Sequence, residues 1–167
     1  MIEIMDFLKT ERLVLRNLIP QDADIMFDYR NNEICSRYQK GQTKDYAKFA
    51  KMIERRRADV LSVEAPFMVA VALKETDEMI GEIVVKPKVD AIELGYTFSY
   101  KYHRHGYAFE ALTVLIDQLH RMGPDRAFIS FVEPQNIASM GLLRKLGYRD
   151  MGYVPEIESQ MFGKWTN

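Results

Sequence analysis

Two hydrophobic rhythms run along this chain, a period of two and a period near 3.6, and their order defines its elements. Residues 13–18 (L-V-L-R-N-L) alternate apolar and polar and read as a first strand, with Arg12 and Arg16 on its polar face. Pro20 breaks the run, and Gln21 or Asp22 starts a helix reaching about Arg30, in which Ala23, Met26, Phe27 and Arg30 fall at helical spacing. Residues 31–42 are polar, contain Gly41 and read as a loop. Thr43 stands where it can cap a second helix, over about 44–58, with Tyr46, Ala47, Phe49, Ala50 and Ile53 as its apolar positions.

Phe67–Leu73 (F-M-V-A-V-A-L) has the continuous apolar run of a buried strand. K-E-T-D-E turns the chain into a second strand over 79–86, which makes a hairpin, and a third strand follows over 92–99. Gly106 opens a helix over Tyr107–Met122, with Ala108, Ala111, Leu112, Leu115, Ile116 and Leu119 on its buried side, and Gly123-Pro124 stops it. Ala127–Val132 is a strand, residues 137–146 form a helix, and Gly147 supplies its left-handed C-cap. Strands over 148–154 and 157–165 complete the order β-α-α-β-β-β-α-β-α-β-β. With no long linker and no repeat, residues 1–167 form one domain of the α+β class, a mixed sheet with helices on both faces. The central strand–helix–strand unit is a right-handed parallel crossover.

Composition narrows the class. The 167 residues are 47% hydrophobic and 28% charged, which is ordinary globular usage. The formal net charge of −1 provides no global field for nucleic acid or membrane. No run approaches the roughly 20 apolar residues of a membrane span. Cys35 is the sole cysteine, so no disulfide forms within the chain, which fits a reducing compartment. The opening M-I-E-I-M-D-F-L-K-T is too short and too acidic for a signal peptide. The expectation is a cytoplasmic protein. Its ten methionines fill core gaps rather than mark a site.

The densest chemical signal is 92–111, I-E-L-G-Y-T-F-S-Y-K-Y-H-R-H-G-Y-A-F-E-A: a strand, a basic turn and a helix start. A helix N-terminus carries unpaired N–H groups and about half a positive charge, and so suits an anion. His103, Arg104 and His105 add positive potential, which points to a pyrophosphate-bearing ligand. Elsewhere the cations are bland. His120 and Arg55 to Arg57 end helices, where positive charge is favourable. The arginines lining an entrance for an acidic acceptor is the lesser alternative.

Three motifs, in order and spanning nearly the whole chain, resemble the GCN5-related N-acetyltransferase (GNAT) superfamily, especially the branch that acetylates ribosomal-protein N-termini and related small amines. They are L-K-T-E-R-L-V-L-R-N-L followed by Asp22; I-E-L-G-Y followed by H-R-H-G-Y-A-F-E-A; and N-I-A-S-M-G-L-L-R-K-L-G-Y. The resemblance implies a mostly antiparallel, seven-stranded mixed sheet with about four helices. It implies acetyl-CoA as cosubstrate, no metal, and direct attack by a protein N-terminus or small amine. The family's phosphate loop is Gln or Arg, two variable residues, Gly, one variable residue, then Gly or Ala. Here it reads His103, Arg104, His105, Gly106, Tyr107, Ala108, so the first position departs and the grip rests on the backbone from His105 to Ala108.

The same resemblance places pantetheine contacts on the backbone of Thr97, Phe98 and Ser99 and on the Asn136 side chain, although Asn136 is also a natural N-cap. It implies Glu93 as the base for the amine, directly or through water. It implies Ser139 near the thioester sulfur, as donor to the leaving thiolate. A tyrosine that many members carry seven residues after this asparagine is Leu143 here. Arg37 and Tyr38 fall where the family builds its acceptor pocket, and Cys35 is a buried small residue rather than a nucleophile. A non-catalytic acyl-CoA-binding or regulatory module on the same fold is the alternative. A dinucleotide oxidoreductase is disfavoured, since no G-x-G-x-x-G follows an early strand. Phe162 and Trp165 in the last strand either pack across a homodimer or cap their own sheet.

Overall fold

The computed structural model describes residues 6–39 and 44–165. Its strands are β1 (Asp6–Lys9), β2 (Leu13–Arg16), β3 (Phe67–Leu73), β4 (Met79–Pro87), β5 (Ala91–Phe98), β6 (Ala127–Val132), β7 (Arg149–Val154) and β8 (Ser159–Lys164). Its helices are α1 (Ala23–Asn31), α2 (Glu33–Ser36), α3 (Tyr46–Arg56), α4 (Tyr107–Met122) and α5 (Ile137–Lys145). The strands form one sheet in the order β1-β2-β3-β4-β5-β6-β8-β7. Every described pairing is antiparallel except β5 with β6, the pair joined through α4.

Alternation along β3 divides the core. Phe67, Val69 and Val71 face one side, where Leu112, Leu115 and Leu119 of α4 and Met140 and Leu143 of α5 complete a cluster. Met68 and Ala70 face the other side, with Met26 and Tyr29 of α1 and Phe49 and Ile53 of α3. Helices therefore cover both faces of the sheet, as its mixed pattern requires.

The sheet has eight strands rather than seven. The added edge strand, β1, carries Phe7 and Leu8 side by side instead of alternating, because its register with β2 shifts between Asp6 and Leu8. That irregularity hides the period-two signal. The span 31–42 is likewise more than a loop. Asn32 caps the single turn of α2 by accepting from the Ile34 N–H at 2.9 Å, which makes five helices among the described residues. The cap of α3 is Asp45, whose carboxylate accepts from the N–H groups of Ala47 and Lys48. Thr43 lies outside the described residues. Phe162 is fully buried and Trp165 is exposed, so Phe162 belongs to the chain's own core.

Arg16 does not face solvent. It is 1% exposed, because all four residues of β2 are covered on both faces. Its guanidinium donates to both Asp22 carboxylate oxygens at 2.8 and 3.0 Å and to the Asp77 carboxylate at 3.0 Å. Two further bonds reach the carbonyls of Asn17 and Asp77, both at 3.1 Å. A buried charge persists only with this degree of pairing.

Candidate active site

The parallel strands β5 and β6 pair only through Ala91, Ile92 and Glu93, opposite Ala127, Phe128 and Ile129. β5 continues beside β4 up to Phe98, but no strand pairing on its β6 side is described beyond Glu93. Ser130 partly bridges the start of this opening by donating its hydroxyl to the Leu94 carbonyl at 2.8 Å. At the far end the Phe98 carbonyl meets the His103 ring Nε2 at 2.7 Å and accepts from the Cys35 thiol at 3.3 Å. Alternate residues of an edge point their main-chain groups the same way. The N–H and C=O of Tyr96 therefore face the opening between these two fixed points.

The chain then turns into α4. Ser99 donates its N–H to the Ile80 carbonyl at 2.8 Å, and its hydroxyl accepts from the Lys101 N–H at 3.4 Å, capping a 3₁₀ turn over Tyr100–Tyr102. Arg104 (φ 67°) and Gly106 (φ 77°) are both left-handed, and Gly106 is the N-cap of α4. The first-turn N–H groups of Tyr107 and Ala108 leave the helix end with no intrahelical acceptor. Left-handed residues spaced this way curl successive N–H groups inward, a concavity that suits an anion.

Arg12 holds this loop from β2's end of the sheet. Its Nη1 donates to the His105 carbonyl at 2.9 Å, its Nε to Glu110 at 2.7 Å, and its guanidinium lies 4.3 Å from the centre of the Tyr107 ring. Thr10 also donates to Glu110. Burial alone raises the Glu110 pKa, but the bonds from Thr10 and Arg12 outweigh it and hold the carboxyl below its ordinary value. The one acidic group in the first turn of α4 is thus neutralised. The Lys145 ammonium stands 4.3 Å from the Phe109 ring centre and adds a second cation beside that turn.

At the start of α5 the Asn136 side chain accepts from the Ser139 N–H at 3.2 Å. The Ser139 hydroxyl lies 2.7 Å from the Tyr96 hydroxyl. Burial pushes the Tyr96 phenol up to about 12. The neighbouring Tyr148 hydroxyl is buried beside Ser130, and burial pushes its phenol up as well. The opening is therefore lined with hydroxyl and amide groups, which fits a ligand rich in amides.

The expected residues fall into two groups. Asn136, Ser139 and the turn from His105 to Ala108 border the opening or the mouth of α4. Glu93 lies at its closed end and, by strand alternation, projects from the face opposite Tyr96. Its carboxylate is 4.0 Å from Lys86 and 3.7 Å from Lys88. The polar groups noted above for Phe98 and Ser99 have partners within the chain, as does the His103 ring. Arg56 and Arg57 pair on their own surface with Asp59 and Glu54, and His120 sits in the last turn of α4. A hollow of about 480 Å³ beside α1 and α3 is lined by Asp24, Phe27, Asp28 and Tyr46 and includes no residue of the opening.

Sequence reasoning missed Arg12 and Tyr96. Nothing in the spacing brings Arg12 to a carbonyl 93 residues away. Tyr96 carried a faint signal, since it shares the inward parity of Ile92, Leu94 and Phe98 and is the polar member of that set.

A strand leaving its neighbour, with a cationic turn and an open helix end beyond it, makes a slot for an extended ligand that ends in an anion. The family model described as "Acetyltransferase (GNAT) domain" matches residues 12–149, and the chain belongs to that family. A Bacillus licheniformis relative, "Uncharacterized N-acetyltransferase p20", is 29% identical over 92% of this chain and 88% of its own. A GNAT-family acetyltransferase from Bacillus anthracis shares the fold with a TM-score of 0.79 at 21% identity, covering 94% of this chain and 95% of that one. The ribosomal L7/L12 alpha-N-protein acetyltransferase RimL superposes with a TM-score of 0.82 at 15% identity, over 98% and 95% of the two chains. RimL has also been solved in complex with coenzyme A.

Proposed function

We propose that the chain transfers an acetyl group from acetyl-CoA to a primary amine, on a protein N-terminus or a small molecule, by direct attack. The observation that carries this reading is the opening beyond Glu93, which ends at the left-handed Gly106 turn and the mouth of α4. The Tyr96 main chain suits the pantetheine amides, as an added strand does. The N–H groups from His105 to Ala108, with Arg104, Arg12 and Lys145 nearby, suit the pyrophosphate. Acetyl-CoA supplies an acetyl group already activated as a thioester.

The chain's own residues then have three tasks. The opening aligns the acetyl group with the amine, which is the largest part of such catalysis. Glu93, on the amine side, takes the amine proton directly or through water. Ser139, on the α5 side, offers its hydroxyl to the departing sulfur. Steady-state release of CoA with a panel of amines tests the reading, and tight CoA binding with no turnover on any acceptor overturns it.

Two substitutions separate the roles. Ser139→Ala lowers kcat by about tenfold or more while CoA affinity changes little, and an unchanged kcat removes Ser139 from the mechanism. Glu93→Gln lowers kcat/KM by about a hundredfold. A kcat/KM within about twofold of the wild type in that variant assigns the base elsewhere.

A further inference from the structure

We propose that Tyr96 is a positioning residue that aims the Ser139 proton at the sulfur of CoA. This rests on the reading above, in which Ser139 faces the thioester. The two hydroxyls are 2.7 Å apart, and one of them must donate. Among the described residues Ser139 is the only hydrogen-bond partner of the Tyr96 hydroxyl. A phenol is the better donor and the poorer acceptor of the two, so the pair is more stable with the phenol donating. Tyr96 therefore donates and Ser139 Oγ accepts, which frees the serine proton to point into the opening.

This arrangement answers a defect of the α5 helix. Leu143 is 1% exposed and carries no hydroxyl, so α5 offers no phenol at that place. A lone serine hydroxyl is a rotor with no fixed aim. A donor behind it fixes that rotor and polarises its O–H bond. Tyr96 comes from β5 and Ser139 from α5, so the pair also ties the helix to the open strand.

The chemistry balances without ionising either hydroxyl. As the amine nitrogen bonds to the acetyl carbon, the C–S bond breaks and its electron pair goes to sulfur. The amine gives one proton to Glu93 or water. Ser139 meets the new charge with a hydrogen bond, and the sulfur is finally protonated from solvent. The Tyr96 phenol, pushed up to about 12, stays protonated throughout the neutral range.

The test titrates the thiol of CoA bound to the protein, read by the ultraviolet absorbance of the thiolate, beside the affinity for CoA. A donor at sulfur lowers the bound thiol's pKa. Ser139→Ala raises it by about one pH unit, the size of a hydrogen bond to a charged group, and Tyr96→Phe by roughly half as much. The double variant matches Ser139→Ala, since Tyr96 acts only through the serine. CoA affinity stays within about twofold in each variant, which separates aim from general damage. A wild-type titration in Tyr96→Phe beside a shifted one in Ser139→Ala overturns the proposal and leaves the acetyl-transfer reading standing. Additive shifts in the double variant overturn it too. Failure of the wild-type protein to bind CoA overturns both.

Discussion

Replacing Gly106 by valine severely weakens CoA binding in a chain that still folds. The cause is the backbone. An added Cβ at Gly106 meets only the Arg12 Nη2, at 3.5 Å, which is ordinary contact. The φ of 77° is the obstacle, since a left-handed residue with a Cβ costs about 1–2 kcal/mol and a β-branched one costs more. Valine relaxes by turning its φ negative, which swings the first N–H groups of α4 away from the concavity. Losing two or more charge-assisted bonds of about 1.5–3 kcal/mol each weakens binding by roughly a hundredfold or more. Calorimetric titration with CoA, alongside circular dichroism, checks it. Gly106→Ala falls between the two, and normal affinity in the valine variant refutes the assignment of the loop.

The second large effect is on stability. Arg16→Ala leaves Asp22, 2% exposed, as a buried carboxylate without its guanidinium. Breaking a buried pair from one side costs about 3–5 kcal/mol. Against a total of roughly 5–15 kcal/mol, this lowers Tm by on the order of 10 °C. Arg16→Lys restores the charge without the planar fork that spans Asp22 and Asp77, and recovers only part of the loss. Urea unfolding gives the comparison, and a loss below about 1 kcal/mol in the alanine variant contradicts this account of the pair.

Much of the architecture was legible because local and global signals agree in it. Phe67–Leu73, Tyr107–Met122 and Ala127–Val132 have the bounds their periodicity and flanking breakers indicate. The elements that escaped are those whose local pattern is broken or too short: β1 with its shifted register, and the four-residue α2. Arg16 misled because a strand covered on both faces leaves no solvent side for a polar residue. At the site, the turn at Gly106 and the cap at Asn136 were legible from residue type, since both follow from backbone needs. The pairing of Tyr96 with Ser139 spans 43 residues, and the reach of Arg12 spans 93 to His105. Contacts of that kind depend on how elements pack, which no local pattern encodes.

The grip of Arg12 has a dynamic consequence. One side chain ties the entry of β2 to the His105 carbonyl and to Glu110 on α4, while Thr10, just after β1, donates to the same Glu110. Fraying of the hairpin at the sheet edge therefore loosens the loop, and opening of the loop loosens the hairpin. A ligand held in the loop is expected to slow hydrogen exchange in β1 and β2. Occupancy of the loop is thereby recorded in the protection of the sheet edge that anchors it.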